Sequence, residues 1–285
     1  MGGSDWRQLR GTDQHRLSLA RLQSHHAAQW LARAARAYVP PQPDDGHTNL
    51  GWNDAFGGFT THLLNTGVRL SLKVADITLV LHGDERTAPI QSFSLDGRTD
   101  AEARKWLGEQ LSARGLDAHA LDALSPYEMP AHAVTQGAAY GVADVADALL
   151  ELSTWFANAG FLLVHVQRQM NERKLVASDV RCWPHHFDLA TLISFPARGA
   201  DATGYVGAGL SPGDKYYDEP YFYVSVYPKP DSAALPSLPK VGHWHTHEFT
   251  AAVAPAHQIV AANKQEAAAE EFLKAAVDVS IRILS

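Results

Sequence analysis

At 285 residues, with 46% hydrophobic and 19% charged content, the chain is long enough to bury a sizeable core as one large domain or two modest ones. Its formal charge of −7 argues against a general nucleic-acid binder and against attachment to anionic lipid through a basic patch. A single cysteine, Cys182, excludes an intramolecular disulfide framework and a CxxC-type zinc site.

The opening "MGGSDWRQLRGTDQHR" has no apolar signal core. It also misses the myristoylation pattern, because position 6 is Trp. No uninterrupted apolar run approaches the ~18 residues of a membrane span. The expectation is a soluble cytoplasmic protein with no membrane and no nucleic-acid partner.

Residues 16 to 38 have helical spacing, with Leu19, Leu22, His26, Trp30, Ala34 and Ala37 near one stripe, until "VPPQPDDGHTN" stops the helix. Four strand-like segments follow ("FGGFTTHLL", "GVRLSLKV", "ITLVLHG", "IQSFSLD"), separated by turn chemistry. Thr99 and Glu102 form a capping box for the next helix, and Gly115 is a natural residue to end it. A third helix covers roughly 142 to 158. The tract "GFLLVHVQRQM" either extends that helix past Gly160 or begins a strand. The C-terminal part brings four more strand-like segments, "FDLATLISF", "TGYVGAGLS", "YFYVSVY" and "HEFTAAVAP". A last helix has Asn263 as its expected N-cap. Strands grouped before helices, with no βαβ alternation, predict an α+β fold of mostly antiparallel sheet with flanking helices. The expected organisation is one compact domain over 1–285, with sub-halves 1–140 and 141–285.

Three stretches carry the polar chemistry. In "CWPHHFDLATLISF", strand alternation puts Phe187, Leu189, Thr191, Ile193 and Phe195 on one face and projects His186 and Asp188 together on the other. In "SPGDKYYDEPYFYVSVY", Phe222, Val224 and Val226 face a core. Tyr221 and Tyr223 line a hydroxyl-bearing aromatic face suited to a planar or sugar-like ligand, and Asp214 and Glu219 flank it. In "GHWHTHEF", His243, His245 and His247 fall on one face, continued by Phe249, Ala251 and Val253. Imidazole is the commonest protein ligand for zinc and suits iron as well. HExxH, GxSxG, Walker A and GxGxxG motifs are absent, which weakens the nucleophile-elbow, P-loop and Rossmann alternatives. Cys182, between Arg181 and Trp183, has no base at a fixed spacing and is expected as a packed thiol.

"SDVRCWPHHFDLATLISF", followed by "GLSPGDKYYDEPYFYVSVYP", resembles an uncharacterised bacterial family, a domain of unknown function. Its members carry a short strand ending in Phe-Asp-Leu-Ala, then a Gly-x-x-Pro-Gly loop and an aromatic Glu-Pro-x-Phe-Tyr strand. The N-terminal half is similar through a helix with His25 and Gln29 four apart, a proline-containing break, and "GHTNLGW". The basic residues that end the family's first helix stand here as Arg33 and Arg36, shifted in spacing, and "GHWHTHEF" has no counterpart. The resemblance implies an architecture and a polar pocket rather than a reaction, and adds His25, Gln29, His47 and Asn49 as pocket residues beside His186 and Asp188.

Two function classes stay open at this level, beside a structural reading in which the histidines are scattered and solvated. In the first, His186, Asp188, His243, His245 and His247 hold a divalent transition metal, zinc or iron, whose water attacks a small polar molecule in a hydrolase-like reaction. Tyr221 and Tyr223 would orient that substrate. In the second, the same imidazoles and tyrosines wall a non-catalytic small-molecule site. A homo-oligomer is compatible with either.

Overall fold

The first helix, α1 (Gln14–Tyr38), begins at Asp13, whose carboxylate accepts the Arg16 N–H at 3.1 Å. It ends just before Pro40 and Pro41, which cannot continue it. The computed structural model describes residues 6–42, 44–84, 88–196, 203–232 and 235–285. Sequence expectation puts the core of α1 on one stripe, but every residue from Gln23 to Ala32 is buried, while Leu19 is exposed. A helix buried all round has no single apolar face for periodicity to find.

By chain contacts the molecule divides into two compact units. One comprises residues 12–153 with 182–187; the other comprises the chain up to Gly11, 154–181 and 188–285. The expected sub-halves, 1–140 and 141–285, differ from this division: the chain up to Gly11 joins the second unit, the main boundary falls at 153/154, and the tract 182–187 returns to the first unit.

In the first unit, α1 precedes an antiparallel meander of β1 (Gly51–Asn53), β2 (Gly58–Thr60), β3 (Val68–Lys73), β4 (Thr78–Gly83) and β5 (Pro89–Ser94), paired in chain order. Gly58 is obligatory there: a Cβ would sit 1.8 Å from the Leu72 carbonyl oxygen. Helix α2 (Asp100–Ser112) opens on the expected capping box, with Glu102 N–H donating to Thr99 Oγ1 and Thr99 N–H to Glu102 Oε2. It closes in a Schellman turn. Leu116 N–H reaches the Leu111 carbonyl, Gly115 N–H reaches that of Ser112, and Gly115 sits at φ +80°.

Helix α3 (Ala146–Glu172) runs unbroken through Gly160, so "GFLLVHVQRQM" is helix. The stretch Ala143–Glu172 is long and apolar enough to cross a membrane by composition, but 72% of its most apolar window is buried within the protein, as in a core helix. Strands β6 (Val176–Ala177) and β7 (Arg181–Trp183) follow it.

The second unit is built on β8 (Asp188–Pro196), β9 (Thr203–Ser211), β10 (Tyr221–Tyr227), β11 (His243–His245) and β12 (Ala251–Pro255), then α4 (Ala256–Val260) and α5 (Gln265–Leu284). The sheet order is β11-β12-β10-β9-β8-β6, all antiparallel. Registers Phe222↔Leu210, Phe222↔Ala254 and Leu189↔Leu210 put those residues on one buried face, against which α5 packs. The α+β fold with antiparallel sheets is thus as expected.

The cap of α5 is not. Asn263 lies in the turn before the helix, and the N-cap is Lys264, with no side-chain cap bond. Gln265 explains the late start. Its buried amide exchanges hydrogen bonds with the backbone of Leu9, donating to the carbonyl at 3.0 Å and accepting the N–H at 2.9 Å, and this fixes the first turn.

Candidate functional site

The sheet face opposite α5 carries the residues singled out in the second unit. Antiparallel partners share a face, so the pairings His243↔Val253, Tyr223↔Val253, Tyr223↔Gly209 and Ala190↔Gly209 align β11, β12, β10, β9 and β8 across it. Asp188, Tyr221, Tyr223, His243 and His245 therefore all lie on one face, joined by a chain of phenols. Tyr223 donates to Asp188 Oδ2 across the intervening strand β9. It can do so because the residue it crosses is Gly209, where a Cβ would come within 2.7 Å of the tyrosine ring. Tyr221 donates to Asp214 Oδ2 at 2.6 Å, and its ring lies 4.9 Å from that of Tyr217. Burial and the neighbouring Asp214 carboxylate push the Tyr221 phenol well above its ordinary value, so it stays protonated. Tyr217 reaches His243 Nε2 at 3.0 Å and His245 Nδ1 at 3.1 Å.

The third histidine departs from the expected strand. "GHWHTHEFTAAVAP" is a hairpin: β11 ends at His245, residues 246–250 form the tip with Glu248 at φ 63°, and β12 starts at Ala251. His247 is exposed in that tip and offers its backbone carbonyl to His245 Nε2 at 2.7 Å. Ala251 and Val253 do share the face of His245 and His243, but from the returning strand.

The pairing of His186 with Asp188 also departs from alternation. The chain turns tightly at 183–187, with His186 and Phe187 N–H groups both on the Trp183 carbonyl and Phe187 at φ 59°. Strand β8 begins only at Asp188. His186 belongs to the first unit, exposed and tilted against His185 with ring centres 4.1 Å apart. Within the second unit, Asp188 is four strand spacings from β11, about 19 Å at the usual interstrand distance. Among the described residues no three His, Cys, Asp or Glu side chains form a group able to hold a metal ion.

The first unit holds a cleft of which sequence reasoning singled out only Gln29 as a pocket residue. It has a volume of about 70 Å³ and is lined by one face of α1, by Asp100 at the start of α2, and by the segment from Ser125 to Thr135. The helix face is His26, Gln29, Trp30, Arg33 and Arg36, spaced so that all five point the same way. The Arg33 guanidinium lies 4.8 Å over the Trp30 ring, and that of Arg36 lies 5.9 Å from the Tyr127 ring. Among the described residues neither arginine has a carboxylate within 4.0 Å. Asp100, the carboxylate on the wall, instead accepts Trp30 Nε1–H at 3.1 Å and Tyr140 O–H at 2.8 Å through one oxygen.

The other wall groups are uncharged. His26 Nε2–H donates to the Pro130 carbonyl, and burial holds its pKa below the ordinary value. Gln29 donates to the Pro184 and His25 carbonyls and accepts from Tyr127. It shapes the wall but has no amide hydrogen to spare for a ligand. The Ser125 hydroxyl is buried in the cleft beside Tyr127.

The remaining pocket candidates have structural partners. His25 is buried, donates Nε2–H to the Pro184 carbonyl at 2.8 Å and stacks on Phe187. His47 Nδ1 accepts the Gln42 N–H at 3.2 Å, and Asn49 Oδ1 accepts from His62 at 2.9 Å. Cys182 is fully buried, a packed thiol as expected. No family model, curated protein or solved structure matches this chain.

Proposed function

We propose that the chain is a small-molecule binding protein whose first unit captures a phosphate- or carboxylate-bearing ligand in the cleft along α1. The supporting observation is the pair of guanidiniums, Arg33 and Arg36, which line one cleft without ion-pair partners. Arg33, laid on the Trp30 ring, is held by its face and keeps its N–H edge for an oxyanion, while Arg36, hydrogen-bonded to the Tyr127 side chain, has its other N–H groups for the same anion. Of the other titratable groups of the wall, His26 is neutral, and the Asp100 carboxylate, held by two donors through one oxygen, is a single negative charge against the two guanidiniums. The cleft has room for a few waters, or for one phosphate or carboxylate group with the rest of its molecule outside.

The metal-hydrolase alternative requires His186, Asp188, His243, His245 and His247 to converge. Asp188 is separated from the imidazoles of β11 by intervening strands, and the described residues hold no His, Cys, Asp and Glu grouping of three. Binding is therefore the better-supported of the two classes.

Calorimetric titration of the full chain with inorganic phosphate, pyrophosphate and succinate tests the reading. At least one of these binds saturably, and more weakly as salt rises. Arg33→Ala and Arg36→Ala each weaken it roughly 10- to 100-fold, the effect of losing a hydrogen bond to a charged group. Equal binding by wild type and the double variant, with unchanged thermal melts, would remove the proposal.

A further inference from the structure

The second unit contains a different arrangement, one that the cleft reading does not use. Histidines two apart on a strand stand ~6.5–7 Å apart along it and converge only by leaning together. Those of β11 lean onto one atom, with His243 Nε2 and His245 Nδ1 at 3.0 and 3.1 Å from the Tyr217 hydroxyl oxygen. Two donors each ~2.0–2.2 Å from one zinc ion lie about 2.9 to 3.5 Å apart, depending on whether the angle is nearer 90° or tetrahedral. Both contacts therefore already have the edge length of a coordination shell.

The tautomer of His245 fits as well. A backbone carbonyl only accepts, so the 2.7 Å contact to the His247 carbonyl puts the ring proton on Nε2 and turns the Nδ1 lone pair toward Tyr217. A ligating imidazole whose other N–H is held by a carbonyl is the usual outer support of a metal site. The ring is also fixed in place: it stacks on Phe249 at 4.3 Å and meets Tyr216 edge-on at 5.2 Å. Tyr217 is anchored in turn, its N–H on Asp214 Oδ1 at 3.1 Å and its carbonyl accepting the Asp214 N–H at 2.8 Å. His243 and the hairpin tip are exposed, so an ion has access.

We propose that His243 Nε2, His245 Nδ1 and the Tyr217 oxygen form a three-ligand site for a divalent transition ion, zinc or copper, with a further position left to water. On loading, the phenol of Tyr217 gives up its proton to solvent and binds as phenolate, so each ion bound releases one proton.

Chelator-treated full-length protein is titrated with Zn²⁺ by calorimetry in buffers of different ionisation enthalpy, and with Cu²⁺ by visible absorption. The expected result is one ion per chain, about one proton released, and a phenolate-to-copper charge-transfer band. His243→Ala and His245→Ala each lower affinity at least tenfold. Tyr217→Phe abolishes the band and the proton release while keeping the wild-type melting temperature. His247→Ala changes nothing, because only its backbone is used. The absence of stoichiometric binding by the wild type would overturn the proposal. So would binding that survives the His243/His245 double substitution, or binding lost equally with His247→Ala.

Discussion

Lowering the pH from 6.5 to about 4 destabilises the protein by about 3 kcal/mol through His25 alone. Burial, the largest influence, drops the His25 pKa from 6.5 to about 4; the hydrogen bond to Pro184 opposes the drop, and His26, Arg21 and His186 reinforce it. The sign follows from proton counting. Over that range the unfolded chain protonates His25 and the native state does not, so the unfolded state binds more protons and stability falls with falling pH. The contribution is fully present above pH 6.5, lost through the window, and constant below it. A gap of about 2.5 units at 1.36 kcal/mol per unit gives the magnitude. His26, His82, His132 and His185 are also lowered by burial and act in the same direction. Urea melts at pH 7 and 4.5 measure the loss. His25→Leu isolates the His25 share, since Gln29 still donates to the Pro184 carbonyl at 2.9 Å. Its stability falls less steeply over the same window. A variant with the wild-type slope would show that His25 titrates normally.

Replacing Phe187 by alanine costs about 3–5 kcal/mol, the range for deleting a buried phenylalanine. The ring is fully buried, stacked on His25 with centroids 5.1 Å apart and edge-on to Phe59 at 5.5 Å. With the Cys182–Leu50 backbone pairing and the Pro184 carbonyl held by His25 and Gln29, it seats residues 182–187 in the first unit. The backbone supplies an internal control. At φ 59° an L-residue is strained by about 1–2 kcal/mol that glycine does not feel. Phe187→Gly is therefore no worse than Phe187→Ala, the reverse of the usual order in a strand or helix. The midpoint of urea unfolding reports both, with an unchanged slope. A loss below 1 kcal/mol for alanine would mean that the other contacts hold the tract without the ring.

Phe187 also shows where sequence reasoning succeeds and stops. Alternation correctly puts Leu189, Thr191, Ile193 and Phe195 on one buried face of β8, but Phe187, expected on that same face, precedes the strand and is buried in the first unit instead. Nothing in "PHHFD" signals the positive φ that turns His186 away from the strand bearing Asp188. The same holds at "THEF", where Glu248, neither Gly nor Asn, takes the left-handed turn and splits one expected strand into a hairpin. Local rules with obligatory chemistry transfer well, such as the Thr99/Glu102 box and the Gly115 turn. The Tyr221/Tyr223 face is legible because a period of two needs no knowledge of partners. Its connection to Asp188 depends on Gly209 of β9, the direct register partner of Tyr223 on one side and of Ala190 on the other, which only the sheet order reveals. The α1 cleft left one trace in the sequence. His26, Gln29, Trp30, Arg33 and Arg36 share a helix face that is polar where a core stripe is expected. Its other wall, Asp100 and residues 125–135, is brought to it only by the fold.

The central claim, an oxyanion cleft on α1, is tested most directly by a crystal structure of the full chain grown with inorganic phosphate. The account predicts tetrahedral density within about 3 Å of both the Arg33 and Arg36 guanidinium nitrogens, with Arg33 still lying on the Trp30 ring. A cleft closed by an ion pair between either arginine and Asp100, with phosphate absent from it, would contradict the account.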